Sequence, residues 1–353
     1  MTSDDRLQSS APRITQDSLA PIRRNATWLL VVFLLALSFF AIHSLVERYD
    51  QLRNASLDRK WLGASGSISR LIHELQRERG LSSGVIASRG ERFGDMLVAQ
   101  QKLTDASLGE LQSIVRQHVT DQAIHGGVAA VADRLQGLRQ RVSNREISRD
   151  YTVDRYTELV DALFDMQLST FGNAVKSSLF RKQMAFVAFS QAKETAGKER
   201  ALLSAILSDH NFSAGRMLSL NNLRATEQAR LVNFTRLAEP DAERQYREIL
   251  QQPDIKEAER IRQKVKAAAL WEESHGKGSA STLLAVALPS PEAWFQVASI
   301  KIDAMKVLED SLNEAVGASA EQEENRAWQE LLLSALLVLL AFVLAGILVR
   351  QIQ

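Results

Sequence analysis

The sequence predicts an all-α protein, two antiparallel four-helix bundles flanked by two membrane-spanning helices. Three observations carry that expectation. Apolar residues from Tyr49 onward recur at threes and fours, with no sustained alternation, which is the spacing of helix faces and not of strands. No proline occurs between Pro21 and Pro240, and Ala, Leu, Glu, Gln and Arg are plentiful, so long uninterrupted helices are permitted. Two uncharged apolar runs, 28–42 and 331–349, lie toward the two ends of the 353 residues.

The first run, extended to 27–45, approaches the roughly 20 residues needed to cross a bilayer. A polar stretch precedes it and no small-x-small cleavage pattern follows it, which favours an uncleaved anchor over a secretory leader. The second run carries Ser334 as its one hydroxyl side chain, whereas a core helix of that length shows a polar face. Trp28 and Trp328 stand beside the runs, where amphipathic rings suit an interface. Arg23 and Arg24 precede the first run and Arg350 follows the second, whereas Glu321, Glu323, Glu324 and Glu330 crowd the approach to the second. The positive-inside bias then expects a two-pass protein of a bacterial inner membrane, with both termini cytoplasmic and a periplasmic domain between the spans. The expected divisions are a disordered cytoplasmic tail at 1–25, spans at 26–45 and 328–350, a helical domain at 46–327, and at 351–353 the start of a cytoplasmic output region.

Within 46–327, turn chemistry marks 88–91 (SRGE), 125–127 (HGG), 143–144 (SN), 208–211 (SDHN), 239–241 (EPD), 252–254 (QPD) and 275–278 (HGKG). Asp254 with Glu257 reads as a capping box, and Ser290 before Pro291 as an N-cap with proline at the first helical position. About eight helices result, enough for two bundles. Between Leu45 and Ser88 only Gly63 and Gly66 interrupt, so the first and last helices are expected to run unbroken into the apolar runs.

Composition removes several chemistries. The chain has no cysteine and a net charge of +1, which excludes disulfides, thiolate metal sites and thiol catalysis and provides no basic field for nucleic acid. Arg and Lys are interleaved with Glu along polar faces, the pattern of solvated helices. The six histidines never pair at helical ligand spacing; His73 reads as a polar or supporting residue, not a metal ligand. Gly276 to Gly278 lacks the strand and helix of a phosphate loop. No nucleophile motif occurs either. The expectation is no enzyme, no cofactor, no metal and no nucleic-acid partner.

The most informative feature is an internal repeat. Residues 71–88 (LIHELQRERGLSSGVIAS) align without gaps on 192–209 (AKETAGKERALLSAILSD) at an offset of 121. Glu78 and Arg79 fall on Glu199 and Arg200, Leu81 on Leu202, Ser83 on Ser204, and Arg77 on Lys198. A duplicated helix heading each half implies two similar bundles. Helical phase then places Arg79 on the apolar stripe of Ile72, Leu75, Ser82 and Ile86, and Arg200 on that of Phe189, Lys193, Ala196, Leu203 and Leu207. Arg77 and Lys198 lie about 200° away. An inward arginine requires an anionic partner. Two readings are open: an internal ion pair, with Glu74, Glu78, Glu199, Asp161 or Asp165 as partner, or a site where guanidinium forks grip a small oxyanion.

These segments, together with 100–108 (QQKLTDASL), 156–166 (YTELVDALFDM) and 294–312 (WFQVASIKIDAMKVLEDSL), resemble the nitrate- and nitrite-sensing domain of bacterial receptors over about residues 60–316. The resemblance implies two four-helix bundles, a nitrate or nitrite ligand held by arginines of both motif helices, and Arg77, Arg79 and Arg200 as those arginines, with Lys198 in the second copy at the place of Arg77. Further basic residues such as Arg224, Arg260 or Arg262 match no motif. The function expected from the sequence is a transmembrane receptor that passes nitrate or nitrite binding, by sliding or rotation of its helices, to a chemotaxis-type, cyclase or kinase output. Its expected partners are the anion, membrane lipid and a second copy of the chain. The competing reading is a ligandless periplasmic module for interaction or dimerisation.

Overall fold

The computed structural model describes residues 16–119, 122–169, 178–276 and 288–352. Among them are nine helices and no strand: α1 (Gln16–Ala87), α2 (Gly94–His118), α3 (Gln122–Ser143), α4 (Arg149–Ser169), α5 (Ser178–Asp209), α6 (Ala214–Leu237), α7 (Pro240–Gln251), α8 (Pro253–His275) and α9 (Pro291–Ile352). The chain is all-α, as the spacing of its apolar residues requires.

Residues 57–321 form one unit, and its apolar side chains sort into two bundles. Ile68, Leu71 and Leu75 of α1 pack with Leu111 and Val115 of α2, Val131 and Leu135 of α3, and Tyr156 and Leu163 of α4. The second bundle joins α5, α6, the α7–α8 pair and the first part of α9 through Phe189, Phe234, Tyr246 and Met305, then Leu203, Ile261, Val265 and Trp294. Phe189, Phe234 and Tyr246 meet in one aromatic triad with centroids 4.8, 5.9 and 5.7 Å apart. Gln252, extended at φ −60° and ψ 139° before Pro253, separates α7 from α8, as the ring of a following proline dictates.

Three boundaries differ from expectation. The expected turn at 125–127 lies inside α3; a Cβ on Gly127 would stand 2.7 Å from Met166 Cε, so this glycine serves a close helix–helix approach and not a turn. The Asp254–Glu257 capping box is absent, because α8 begins two residues earlier than that box requires, at Pro253 with Gln252 as its N-cap. Residues 16–25, expected in an unstructured tail, are helical in α1, while 1–15 lie outside the described residues. At α9 the N-cap reading holds: the Ala293 backbone N–H donates to Ser290 Oγ at 3.2 Å. The turn at 88–91 uses left-handed backbone at Arg89 and Gly90, φ 54° and 85°, which glycine adopts without strain.

The second unit consists of residues up to 56 and from 322 onward. Here α1 and α9 each contain an 18-residue window long and apolar enough to cross a membrane, by length and composition only, with mean hydropathies of 1.8 and 2.6 and 6% of each window buried. Arg48 Nη1 donates to Glu330 Oε2 at 2.7 Å.

Candidate anion-binding site

Each Glu-Arg motif points its two charges in different directions, because neighbouring residues on a helix stand about 100° apart. Glu78 turns into the first bundle, fully buried. Arg139 of α3 donates to it twice, Nε to Oε1 at 2.7 Å and Nη2 to Oε2 at 2.8 Å. The Tyr156 hydroxyl donates to Oε1 at 2.8 Å. Glu199 repeats the arrangement in the second bundle: Arg262 of α8 donates Nε to Oε1 at 2.7 Å and Nη2 to Oε2 at 2.5 Å. Burial opposes the charge on both arginines, yet the bonds to these carboxylates hold Arg139 and Arg262 above the usual arginine range. Two-bond forks of this kind are the strong form of buried ion pair, and they fix the rotation of α1 and α5.

With the glutamates so clamped, Arg79 and Arg200 face the place where α1, α5 and α9 come together. Arg79, 8% exposed, donates Nη1 to Glu194 Oε1 at 2.6 Å, Nη2 to Glu194 Oε2 at 3.0 Å and Nη1 to Thr157 Oγ1 at 2.9 Å. Of the two sequence readings, the ion pair exists, with a partner outside the expected set. Arg200 has a different environment. Its Nη1 donates to Ser299 Oγ at 2.8 Å and its guanidinium stacks 4.5 Å from the Phe295 centroid; among the described residues no carboxylate pairs with it. Burial, and then the charge of Arg79, push the Arg200 guanidinium below its ordinary value. A cation in that position is stabilised by an added anion.

A cavity of about 440 Å³ opens here, lined by His73, Arg77, Arg79, Glu194, Arg200 and Asp303 among others. Against it lies a groove of about 560 Å³ that shares Arg77, Arg79 and Arg200, adds Arg149, and has no carboxylate in its walls. The structure thus brings together Arg77, Arg79 and Arg200. Arg77 is exposed at the rim. Lys198 lines neither space: its Nζ stands 3.2 Å from Asp161 and 3.7 Å from Glu194. The other basic residues weighed are engaged elsewhere, Arg224 with Glu259, Arg260 with Glu257 and Arg262 with Glu199.

Sequence reasoning missed Glu194, which aligns with His73 in the repeat and so carries no motif signal. It also missed Glu309, 2.5 Å from Lys193, although Lys193 stands on the inward stripe and by that fact called for a carboxylate. Burial, with Lys193 and Lys306 beside it, lowers the His73 imidazole to about 4, so this residue is neutral in the folded protein near pH 7. Among the described residues no three His, Asp or Glu gather as a metal site.

Comparison with known proteins agrees with the sequence reading in family and departs from it in function. The family model described as nitrate and nitrite sensing matches residues 70–317. A nitrate regulatory protein of Klebsiella oxytoca is 26% identical over 181 residues, covering 50% of this chain and 46% of that protein; the chain therefore spans about half the length of this curated relative. The solved structure of the NasR transcription antiterminator superimposes with a TM-score of 0.62 at 20% identity, covering 87% of this chain and 83% of that one, a likeness of fold. The expected transmembrane receptor with a chemotaxis-type, cyclase or kinase output is overturned by these relatives, which are regulators named for nitrate response and transcription antitermination. By the family match over most of its length, the chain belongs to the nitrate and nitrite sensing family.

Proposed function

We propose that this chain is the sensory part of a nitrate- or nitrite-responsive regulator, in which the anion bridges Arg79 and Arg200 while Arg77 draws it in at the rim. The observation that carries the reading is Arg200, a largely buried guanidinium with no carboxylate partner among the described residues, beside a polar cavity. A planar trigonal oxyanion suits guanidinium forks, whose parallel N–H bonds match its edge.

The same proposal places the largely exposed apolar stretches of α1 and α9, from Val31 to Phe40 and Leu332 to Leu344, in contact with membrane lipid and takes the active form as a homodimer. An alkaline wash of membranes tests the first, because an anchored chain stays in the pellet; light scattering of the detergent-solubilised chain tests the second.

The central experiment melts the full chain in nitrate, nitrite, sulfate and chloride at equal ionic strength. A bound anion stabilises the folded state by mass action, so nitrate or nitrite should raise Tm above the chloride value. Arg79→Ala and Arg200→Ala should each abolish the rise, whereas Arg244→Ala, exposed on α7, should retain it. Absence of a nitrate- or nitrite-specific rise would falsify the reading in favour of the ligandless module.

A further inference from the structure

We infer that Glu194 is a resident counter-anion, which an incoming oxyanion must displace from Arg79, so that this residue sets the affinity of the site and ties its occupancy to the α1–α5 contact. The inference rests on the oxyanion reading above and deepens it.

The Glu194 carboxylate occupies the end-on edge of the Arg79 fork with two bonds, 2.6 and 3.0 Å, the mode a planar oxyanion would use. It receives a third bond from Gln76 Nε2 at 2.9 Å. Three N–H donors of α1 therefore converge on one carboxylate of α5, and that carboxylate is itself in the cavity wall and only 3% exposed. Arg79 without a ligand is thus satisfied, and Arg200 is not. A monovalent anion between the two arginines meets a like charge already seated on one of them. Both cannot hold the same edge of Arg79, and the low dielectric of a buried site makes their repulsion expensive.

The repeat sharpens the point. The position of Glu194 is held in the first copy by His73, whose imidazole is neutral near pH 7. Only one of the two halves brings its own anion, so the site has two forks, one already filled. When the ligand replaces Glu194, the direct bonds from Arg79 and Gln76 to α5 are lost, and α1 and α5 are then joined through the ligand. Occupancy is in this way exchanged for a direct helix-to-helix ion pair, the kind of differential contact that a ligand needs in order to shift a conformational equilibrium.

Nitrate titration calorimetry on the full detergent-solubilised chain at constant ionic strength tests this. Glu194→Gln keeps the volume and one acceptor but removes the charge, and should lower the nitrate Kd about tenfold or more. Glu194→Asp retracts the carboxylate by one methylene and should give a smaller gain in the same direction; it decides the matter if the glutamine variant does not fold. Asp241→Asn removes an exposed carboxylate of α7 that lies outside the cavity and should change Kd less than threefold. An unchanged or weaker Kd in the Glu194 variants, with wild type binding nitrate, overturns the inference alone. Equal gains in Glu194→Gln and Asp241→Asn overturn it as well, reducing Glu194 to bulk charge. No nitrate binding by wild type or any variant sinks the oxyanion reading and this inference together.

Discussion

The two Glu-Arg motifs are alike where they hold the fold and unlike where they face the cavity. Glu78 and Glu199 are clamped by Arg139 and Arg262 with nearly superposable bonds. Arg79 and Arg200 share a sequence position, yet one has a carboxylate partner and the other has a serine and an aromatic ring. The repeat keeps the clamped glutamate in both copies and changes only what the inward arginine meets. Two equal halves would have given either two satisfied arginines, with nothing to attract a ligand, or two unsatisfied ones, with a larger cost to folding.

The largest break in that comparison comes from the shared part. Glu78→Ala or Glu199→Ala leaves a buried arginine without its clamp and should cost on the order of 3–5 kcal/mol by chemical denaturation. Similar losses in the two are expected from their similar geometry; a loss below about 1 kcal/mol in either would dissolve the equivalence. Arg139→Ala, outside both motifs in sequence, removes the same clamp from the other side and belongs in this class.

His73 shares a repeat position with Glu194 but is an imidazole, and its burial beside Lys193 and Lys306 produces an acid sensitivity. The folded His73 titrates near 4 against an ordinary value of 6.5. Between those values the unfolded chain binds a proton that the folded chain does not, so stability falls as pH drops from about 6.5 toward 4 and is fully present above that window. The full extent is on the order of 3 kcal/mol. His73→Gln should flatten the Tm-against-pH curve over that range, and an unaltered curve would remove His73 as the cause.

A smaller contrast separates the arginines. Arg79→Ala leaves Glu194 buried with only Gln76 and a distant Lys198 to stabilise it, and should destabilise by about 2–3 kcal/mol. Arg200→Ala removes an unpaired cation and should stay within about 1 kcal/mol of wild type in either direction. Both should lose nitrate binding. Equal destabilisation would mean that Arg200 has a counter-charge of its own. The smallest effect concerns Gly197, where an added Cβ stands 3.6 Å from Arg79 Nη2, an ordinary contact. Gly197→Ala should fold and bind nearly as wild type, whereas Gly197→Leu should fold but fill the cavity and weaken nitrate several-fold in titration.

Much of this was legible before any coordinates. Apolar spacing and proline placement determine the helices, and the repeat with its helical phase picks out Arg79 and Arg200, because a charge on an apolar stripe is visible in one dimension. Partners are not. Glu194 belongs to the same motif segment as Arg200 but bonds to the other motif helix, a tertiary fact that no spacing encodes. Arg139 and Arg262 sit on α3 and α8 among exposed arginines, and only the packing of those helices separates clamp from solvated charge. The turn at 125–127 failed for a related reason: a glycine that admits Met166 reads in sequence like a glycine that ends a helix. Lys198 shows the limit of carrying a role across a repeat, since Asp161 of α4 stands within reach of it.

The glutamate clamps also restrict how the motif helices can move. Turning α1 by a single residue would sweep Glu78 about 100° away from Arg139, and α5 is pinned likewise by Arg262. A roll therefore has to break a buried two-point bond, whereas a small displacement along the helix axis can be followed by the long arginine side chain. The clamps thus make axial displacement of α1 and α5 softer than a roll about their own axes.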